Sequence, residues 1–301
     1  MSKISVIIPV HNGEKTIAKC LRSLLQQTDH DFDTIIINDN CTDKTLAICN
    51  KMIANNKKFT IINSHERGIS NARNTGIRLA QTDYIMFADC DDYLDKTAIE
   101  SVSNIVTKNT VDLLVFEYEV ITRKQPAHTY SRNKVEHCNK EDFIKCILME
   151  EKYGGVVWNK VFKKDLFKKT LFNEKYKIGE DLDLVLRYIR NTDKIYYTDK
   201  VLYYYVKNNS SITNSSICDN NNKWDTEIEM LLNLISEFRN TKYEIYAKRR
   251  LCRTCITLCK KMTAAQSKRY KKILRTLLID ILKSNKIPAR FKINCLIHTW
   301  M

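Results

Sequence analysis

Glycine and proline are scarce, six and three in 301 residues. Long tethers between modules draw on both, so the chain reads as one large domain, or one domain with an appendage. No run of about 18 apolar residues occurs, so no membrane-spanning helix is expected. The start, MSKISVIIPV, has one lysine and a short apolar run ending in proline. It lacks the longer apolar core and small-residue cleavage site of a secretory leader. Eleven cysteines form an odd, scattered set. That excludes an orderly disulfide framework and points to a reducing, cytoplasmic setting. Cys252, Cys255 and Cys259 look like half a metal site, but their spacing is also one helix face among Leu251, Ile256 and Leu258. With no second ligand pair nearby, they are expected as core thiols and not as a zinc site.

What is present is ordinary globular material, 44% apolar and 28% charged, with one asymmetry. The formal net charge is +15. From Asn222 onward there are 18 Lys or Arg against 6 Asp or Glu, 18 − 6 = +12, which leaves 15 − 12 = +3 for the rest. A basic segment suits a polyanionic surface such as anionic lipid, nucleic acid or an acidic glycan; a solvated helical face is an equal alternative. YKKILRTLLIDILKS is basic and amphipathic, fit to lie on the anionic inner face of a membrane or to pack on a neighbouring core. No nucleic-acid-reading signature accompanies the charge, so no nucleic-acid partner is expected.

Along the chain, strand-like and helix-like runs alternate. ISVIIPV is a continuous β-branched run suited to a strand buried on both faces. NGEKTIAKCLRSLLQQT follows with helical spacing, then FDTIIIND as a strand, TDKTLAICNKMIANN as a helix and FTIIN as a strand. GISNARNTGIRLAQT reads as a helix from about Ser70, DYIMFAD as a strand, KTAIESVSNIVTKN as a helix and VDLLVFEYEV as a strand. The pattern predicts an α/β fold with a mostly parallel sheet flanked by helices. Beyond it, VVWNKVFKKDLF reads as a loop with a short helix, IGEDLDLVLRYI as a helix and DKIYYTDKVLYYYV as one or two strands. From Lys223 the pattern is helical. A Ser/Asn cluster near 216–222 suggests a boundary between an α/β domain, 1–221, and a basic helical region, 222–301.

In parallel sheets ligands bind outside the carboxyl ends of the strands. That rule selects Pro9 to Asn12, Asp39, His65 to Gly68, and Asp89 to Asp92. In FADCDDY, Asp89 and Asp91 are two residues apart at a strand end, where both can reach one hard cation. Such carboxylates suit Mg²⁺ or Mn²⁺ bound jointly with a diphosphate. A helix-capping cluster, with Asp92 or Asp95 as the cap, is the plainer alternative.

Three stretches then resemble the family 2 nucleotide-sugar glycosyltransferases, which have the GT-A fold: ISVIIPVHNGEKTIAKCLRSLLQQT, IIINDNCTDKT and ERGISNARNTGIRLAQTDYIMFADCDDYL. The likeness is close to about residue 118. It thins through WNKVF, IGEDLDL and YYYVKNNSSIT, which resemble the bacterial capsule, exopolysaccharide and lipopolysaccharide branch. The resemblance implies that Pro9, Val10 and Asn12 line a nucleotide pocket, with Glu14 near the ribose or base. It implies that Asp39 accepts from a uracil-type ring N–H and that Arg67 or Arg73 lies over the base or near the diphosphate. Asp89 would contact ribose or metal, Asp91 would ligate the metal, and Asp181 would be the general base, with Glu180 its rival. For both acids, a helix N-terminus stabilised by charge is the structural alternative. Trp158 is placed against an acceptor sugar or in the core. His11 stands where the family usually has Tyr, Asn40-Cys41 where it has Gly-Ser, and Cys90 where it has Ser.

The expected function is inverting transfer of a hexosyl or N-acetylhexosaminyl group from a UDP-linked or other nucleotide sugar. The acceptor would be a glycan or lipid-linked glycan in bacterial surface polysaccharide synthesis, with Mn²⁺ or Mg²⁺ as cofactor. A non-catalytic GT-A-like binding protein and a nucleotidyltransferase are the alternatives. The latter usually has a Gly-rich phosphate loop, and PVHNGEK carries one glycine.

Overall fold

A computed structural model describes residues 3–54, 56–122, 133–207 and 221–300. The chain divides into two compact units. The first comprises Met1–Lys140, Val156–Glu174 and Glu180–Asn208; the second comprises Glu141–Gly155, Lys175–Gly179 and Asn209–Met301. The boundary expected near 216–222 falls largely outside the described residues.

The first unit is built on a sheet with nine strands among the described residues. They are β1 (Ile4–Val10), β2 (Phe32–Asn38), β3 (Phe59–Asn63), β4 (Tyr84–Phe87), β5 (Tyr93–Leu94), β6 (Leu113–Ile121), β7 (Val135–Cys138), β8 (Lys160–Lys163) and β9 (Ile195–Val206). The order is β3-β2-β1-β4-β8-β6-β9-β5, with β7 also on β9. The first four strands pair in parallel, as their β-branched runs predict. Helices α1 (Ile17–Leu25), α2 (Thr45–Ile53) and α3 (Ile69–Leu79) connect them, and α4 (Ala98–Lys108) leads to β6. In α1 the buried residues are Ile17, Cys20, Leu21 and Leu24, one helical stripe. All seven residues of β1 are buried, as a central strand covered on both faces requires.

The far half of the sheet is mixed. Strand β8 runs antiparallel between β4 and β6, where the sequence pattern suggests only a loop and a short helix. A short 3-10 turn, Lys164–Lys169, follows it. β9 is one continuous strand of 12 residues that serves β6, β7 and β5. Its tyrosines alternate: Tyr203 is fully buried on one side, while Tyr204 stacks on Tyr93 at 4.8 Å on the other. Helix α3 approaches β1 closely at Gly76, where a Cβ would lie 2.4 Å from the Ile7 Cγ2. This glycine is a packing requirement that fixes the helix over the parallel strands.

The second unit contains most of α5 (Lys140–Met149) and the helices α7 (Asn221–Glu237), α8 (Glu244–Lys261), α9 (Ala264–Lys283) and α10 (Ala289–Trp300). A capping box opens α9: Gln266 N–H donates to Thr263 Oγ1 and Thr263 N–H to Gln266 Oε1. Cys252 and Cys255 are buried in α8, as a helix-face reading of their spacing expects. Part of the basic charge is paired inside this unit. Glu150 holds Arg250 and Arg253, and Asp225 holds Arg269.

Candidate active site

The carboxyl ends of β1, β2, β3 and β4 form a continuous rim in the first unit, and the loops that leave them are tied together by side chains. Gly13 N–H donates to Thr45 Oγ1 at 2.8 Å and Glu14 N–H to Asp43 at 3.1 Å. The Glu14 carboxylate accepts from Lys44 N–H at 3.2 Å. Glu14, expected near ribose or base, therefore begins as a clasp between two loops.

Pro9 and Val10 do not offer side chains to a nucleotide, because both are buried in the strand. Their contribution is to the backbone. Ala88 N–H donates to Ile7 O, which places Ile7 on the β4 edge of β1. Pro9, two residues on, falls on the same edge with no N–H to give, so the ladder ends and β4 turns away into the acidic loop. The first exposed residues are His11 and Asn12. His11 Nδ1 lies 2.6 Å from the Asp39 carbonyl, which can only accept, so Nδ1 carries the proton. Nε2 is then an acceptor for Arg67 Nη2 at 3.2 Å.

Two departures from the family pattern have local explanations. Asn40 has φ +55°, left-handed backbone that favours glycine but that asparagine tolerates. The Cys41 thiol donates to Val10 O at 3.3 Å and accepts from Asn12 N–H at 3.2 Å. A serine hydroxyl would make the same pair. Asp39 is 7% exposed, and both its oxygens accept from the Gly68 N–H, at 3.0 and 3.1 Å. Gly68 has φ +131° and ψ 143°, a conformation essentially reserved for glycine, which is why its amide can turn to Asp39. An added ring N–H on Asp39 would use the remaining lone pairs.

Arg73 is not positioned over a base. It is 2% exposed, on the inner face of α3, and its guanidinium joins three carboxylates. Nη2 donates to Asp89 Oδ1 at 3.1 Å; Nη1 donates to Asp181 Oδ1 at 2.7 Å and Glu180 Oε1 at 3.2 Å. Phe172 lies 5.3 Å beneath it. Burial alone would weaken the charged guanidinium, but Asp181, Asp89 and Glu180 outweigh it and raise its pKa. Arg67, exposed beside His11, is the arginine left at the open rim.

The acidic loop is anchored from β9. Tyr203 OH donates to Asp92 Oδ2 at 2.8 Å and accepts from Asp89 N–H at 3.0 Å. Val206 N–H donates to the other Asp92 oxygen at 2.7 Å. Burial pushes the Asp92 carboxyl up to about 8; the Val206 N–H opposes this, and Asp89 and Asp91 add to it. Asp92 is thus the loop's anchor, and Asp95 makes the turn into α4 by accepting from Thr97 N–H at 2.8 Å. Asp89 and Asp91 remain the partly exposed pair. Among the described residues no three His, Cys, Asp or Glu side chains gather as a ready-made metal cage. Two carboxylates fit the other way of holding Mg²⁺ or Mn²⁺, in which substrate phosphates complete the shell. The charges agree, since Arg73 supplies one cation against the carboxylates of Asp89, Glu180 and Asp181.

Glu180 and Asp181 open α6 (Glu180–Arg190), after Gly179 at φ +84°. Burial raises both carboxyls; for Glu180 the Asp181 charge adds to the rise, and Arg73 opposes it for both. Asp181 Oδ2 also accepts from Val157 N–H at 3.2 Å. Lys160, not recognised from the sequence, is fully buried, and burial lowers its pKa to about 7 against the pull of Asp181. Trp158 is not an acceptor platform. It is 7% exposed, stacked on Tyr203 at 4.8 Å and Tyr205 at 5.6 Å, with Tyr118 edge-on at 4.6 Å. Too little of the indole reaches solvent to cover a sugar ring.

Known proteins resemble this chain in sequence and in fold. The family model for glycosyl transferase family 2 matches residues 5–174. The chain is 28% identical over 217 residues to the uncharacterized glycosyltransferase EpsJ of Bacillus subtilis, covering 70% of this chain and 62% of that one. It is 28% identical over 211 residues to glycosyltransferase GlyA of Streptococcus pneumoniae, covering 67% of this chain and 30% of the relative. It therefore spans less than two thirds of either relative's length. In structure it resembles S. aureus TarS 1-349 solved with UDP, at TM-score 0.73 and 17% identity, covering 99% of this chain and 88% of that one. The same protein with UDP-GlcNAc gives TM-score 0.71 at 19% identity, with 96% and 82% covered. These likenesses establish the GT-A fold. With more than half its length matched by the family model, the chain belongs to glycosyl transferase family 2.

Proposed function

We propose that the chain transfers a hexosyl or N-acetylhexosaminyl group, with inversion, from a UDP-sugar to a glycan or lipid-linked glycan hydroxyl in bacterial surface polysaccharide synthesis. The observation that carries this is Arg73, which draws Asp89 of the donor rim and Asp181 of α6 onto one guanidinium. This proximity supports reading Asp89 as the donor-side carboxylate and Asp181 as the base. UDP as the carrier is supported by the solved relative of the same fold that holds UDP.

The nucleotide would lie along the rim made by His11, Asn12, Asp39 and Arg67. Asp89 and Asp91 would hold Mn²⁺ or Mg²⁺, which when bound offsets charge on the departing diphosphate as a Lewis acid. Asp181 takes the proton from the acceptor hydroxyl as its oxygen bonds to the anomeric carbon. The bond from that carbon to the phosphate oxygen breaks, and its electron pair leaves with UDP. One displacement needs one base and no covalent enzyme intermediate.

The test is product analysis. With Mn²⁺, a UDP-sugar panel and lipid-linked acceptors, the purified chain should release UDP in an acceptor-dependent way. Release of UMP or pyrophosphate would instead indicate a nucleotidyltransferase. In Asp91→Asn, calorimetry should show UDP binding that no longer tightens when Mn²⁺ is added. A variant whose UDP affinity responds to Mn²⁺ as the native protein does would remove Asp91 from the metal site.

The second unit suggests where the acceptor is met. In α10, Ile293, Leu296, Ile297 and Trp300 form one exposed apolar stripe, with Trp300 71% exposed. Arg275 of α9 lies 5.3 Å over the Trp300 ring, so a cation and the stripe occur together. No described helix is long and apolar enough to cross a membrane. An exposed apolar stripe with a cation beside it suits the surface of an anionic leaflet. Vesicles rich in phosphatidylglycerol should carry the native protein upward on flotation, and the double variant Ile297→Ser, Trp300→Ser should stay behind. Equal flotation of both, or no flotation of either, would dismiss the membrane contact.

A further inference from the structure

Lys160 has no solvent exposure, which is rare for a lysine and demands hydrogen-bonding partners. Its Nζ donates to Val156 O at 2.7 Å and to Asn159 Oδ1 at 2.8 Å. The Val156 carbonyl belongs to the peptide unit whose N–H is that of Val157. That N–H donates to Asp181 Oδ2 at 3.2 Å. In a planar trans peptide the C=O and N–H point in opposite directions. The lysine amine, the peptide dipole and the carboxylate are therefore in line, with the positive end of the dipole toward Asp181.

We infer that Lys160 is a positioning residue for Asp181, acting through the Val156–Val157 peptide to fix the carboxylate's second oxygen while Arg73 holds the first. This rests on the reading of Asp181 as the base. Hydrogen bonds in such a chain polarise one another, so a donor on the carbonyl strengthens the amide's bond to the carboxylate. The charged groups that act on Asp181 are Arg73, Asp89 and Lys160, with Glu180 beside it in the chain. Arg73 reaches Oδ1 directly; the peptide reaches Oδ2. Held at both oxygens, the carboxylate cannot swing about its Cβ–Cγ bond, and it keeps the orientation in which a lone pair meets an acceptor hydroxyl. A lysine that only closed the 156–160 turn would satisfy the same two oxygens but would be indifferent to what stands at position 181.

That difference gives the experiment. Lys160→Met keeps the buried volume and removes the donor. Lys160→Gln keeps one amide N–H for Val156 O and carries the comparison should the methionine variant not fold. Each is made in the native chain and with Asp181→Asn. Melting temperature, exchange of the Val157 amide by NMR, kcat and donor KM are measured. The Tm loss from Lys160→Met should be at least halved in the Asp181→Asn protein. Val157 amide exchange should quicken about tenfold in Lys160→Met. Turnover should fall about tenfold with donor KM unchanged, and Lys160→Gln should recover part of each loss. Equal Tm losses in both backgrounds, with Val157 protection unaltered, would overturn the inference. Should Asp181→Asn itself turn over normally, the base assignment fails, while the Tm and exchange readouts still decide the link from Lys160 to Asp181.

Discussion

Arg73→Met is expected to cost about 3–5 kcal/mol of stability, the range for breaking a buried ion pair by removing one partner. The arginine is 2% exposed and faces Asp89, Glu180 and Asp181 within 3.2 Å. Methionine fills much of the volume and leaves three carboxylates without their cation. Arg73→Lys keeps the charge but cannot reach all three, since one ammonium lacks the flat fork that spans them. An intermediate loss is expected. The sign of the pH effect follows. Without the guanidinium, the folded-state pKa values of Glu180 and Asp181, already raised by burial, rise further above their unfolded values. Between the two values the folded state binds more protons, so the variant loses stability as pH rises and regains it as pH falls. Urea midpoints across this range measure the effect. A midpoint equal to that of the native protein near neutrality would mean that Arg73 is not the counter-charge of this cluster.

Asp181→Asn should lower kcat by roughly 10²–10⁴, the usual contribution of a positioned base, and leave UDP binding unchanged. Asparagine keeps the shape but only one acceptor oxygen, so Arg73 can retain its partner while Val157 N–H loses its own. Glu180→Gln should have a smaller effect on kcat. The pH profile separates the roles. Burial raises the Asp181 carboxyl, with Arg73 opposing and Asp89 adding. The base works ionised, so activity falls as pH drops through a pKa above the ordinary aspartate range, and this acid limb should vanish in Asp181→Asn. If instead Glu180→Gln abolishes turnover and Asp181→Asn does not, the two acids exchange roles.

The legible parts of this molecule are those whose cause is local. Strand β1 is readable because seven consecutive residues are buried, and α1 because Ile17, Cys20, Leu21 and Leu24 repeat at helical spacing. The rim could be found from strand ends alone. Strand β8 could not: it has four residues with lysine at each end, and a fully buried lysine looks in sequence like a surface one. The partners of Arg73 are illegible for the same reason. Its partner Asp89 is 16 residues away, but Glu180 and Asp181 are 107 and 108 away, and only the fold unites them. The sequence leaves Trp158 open between core and sugar, because only the fold stacks Tyr203 and Tyr205 on it.

The place of β8 in the sheet has a consequence for biogenesis. Strands β4 and β6 both precede β8 in the chain, yet each bonds to β8 and not to the other. A nascent chain stopped before residue 160 on the ribosome has both edges exposed, and both are apolar. Its easiest mistake is to zip β4 directly onto β6, closing the gap that the later strand must enter. Shielding that slot during translation is then the step at which a chaperone would matter most, and slowing synthesis just ahead of β8 should lower the yield of native protein.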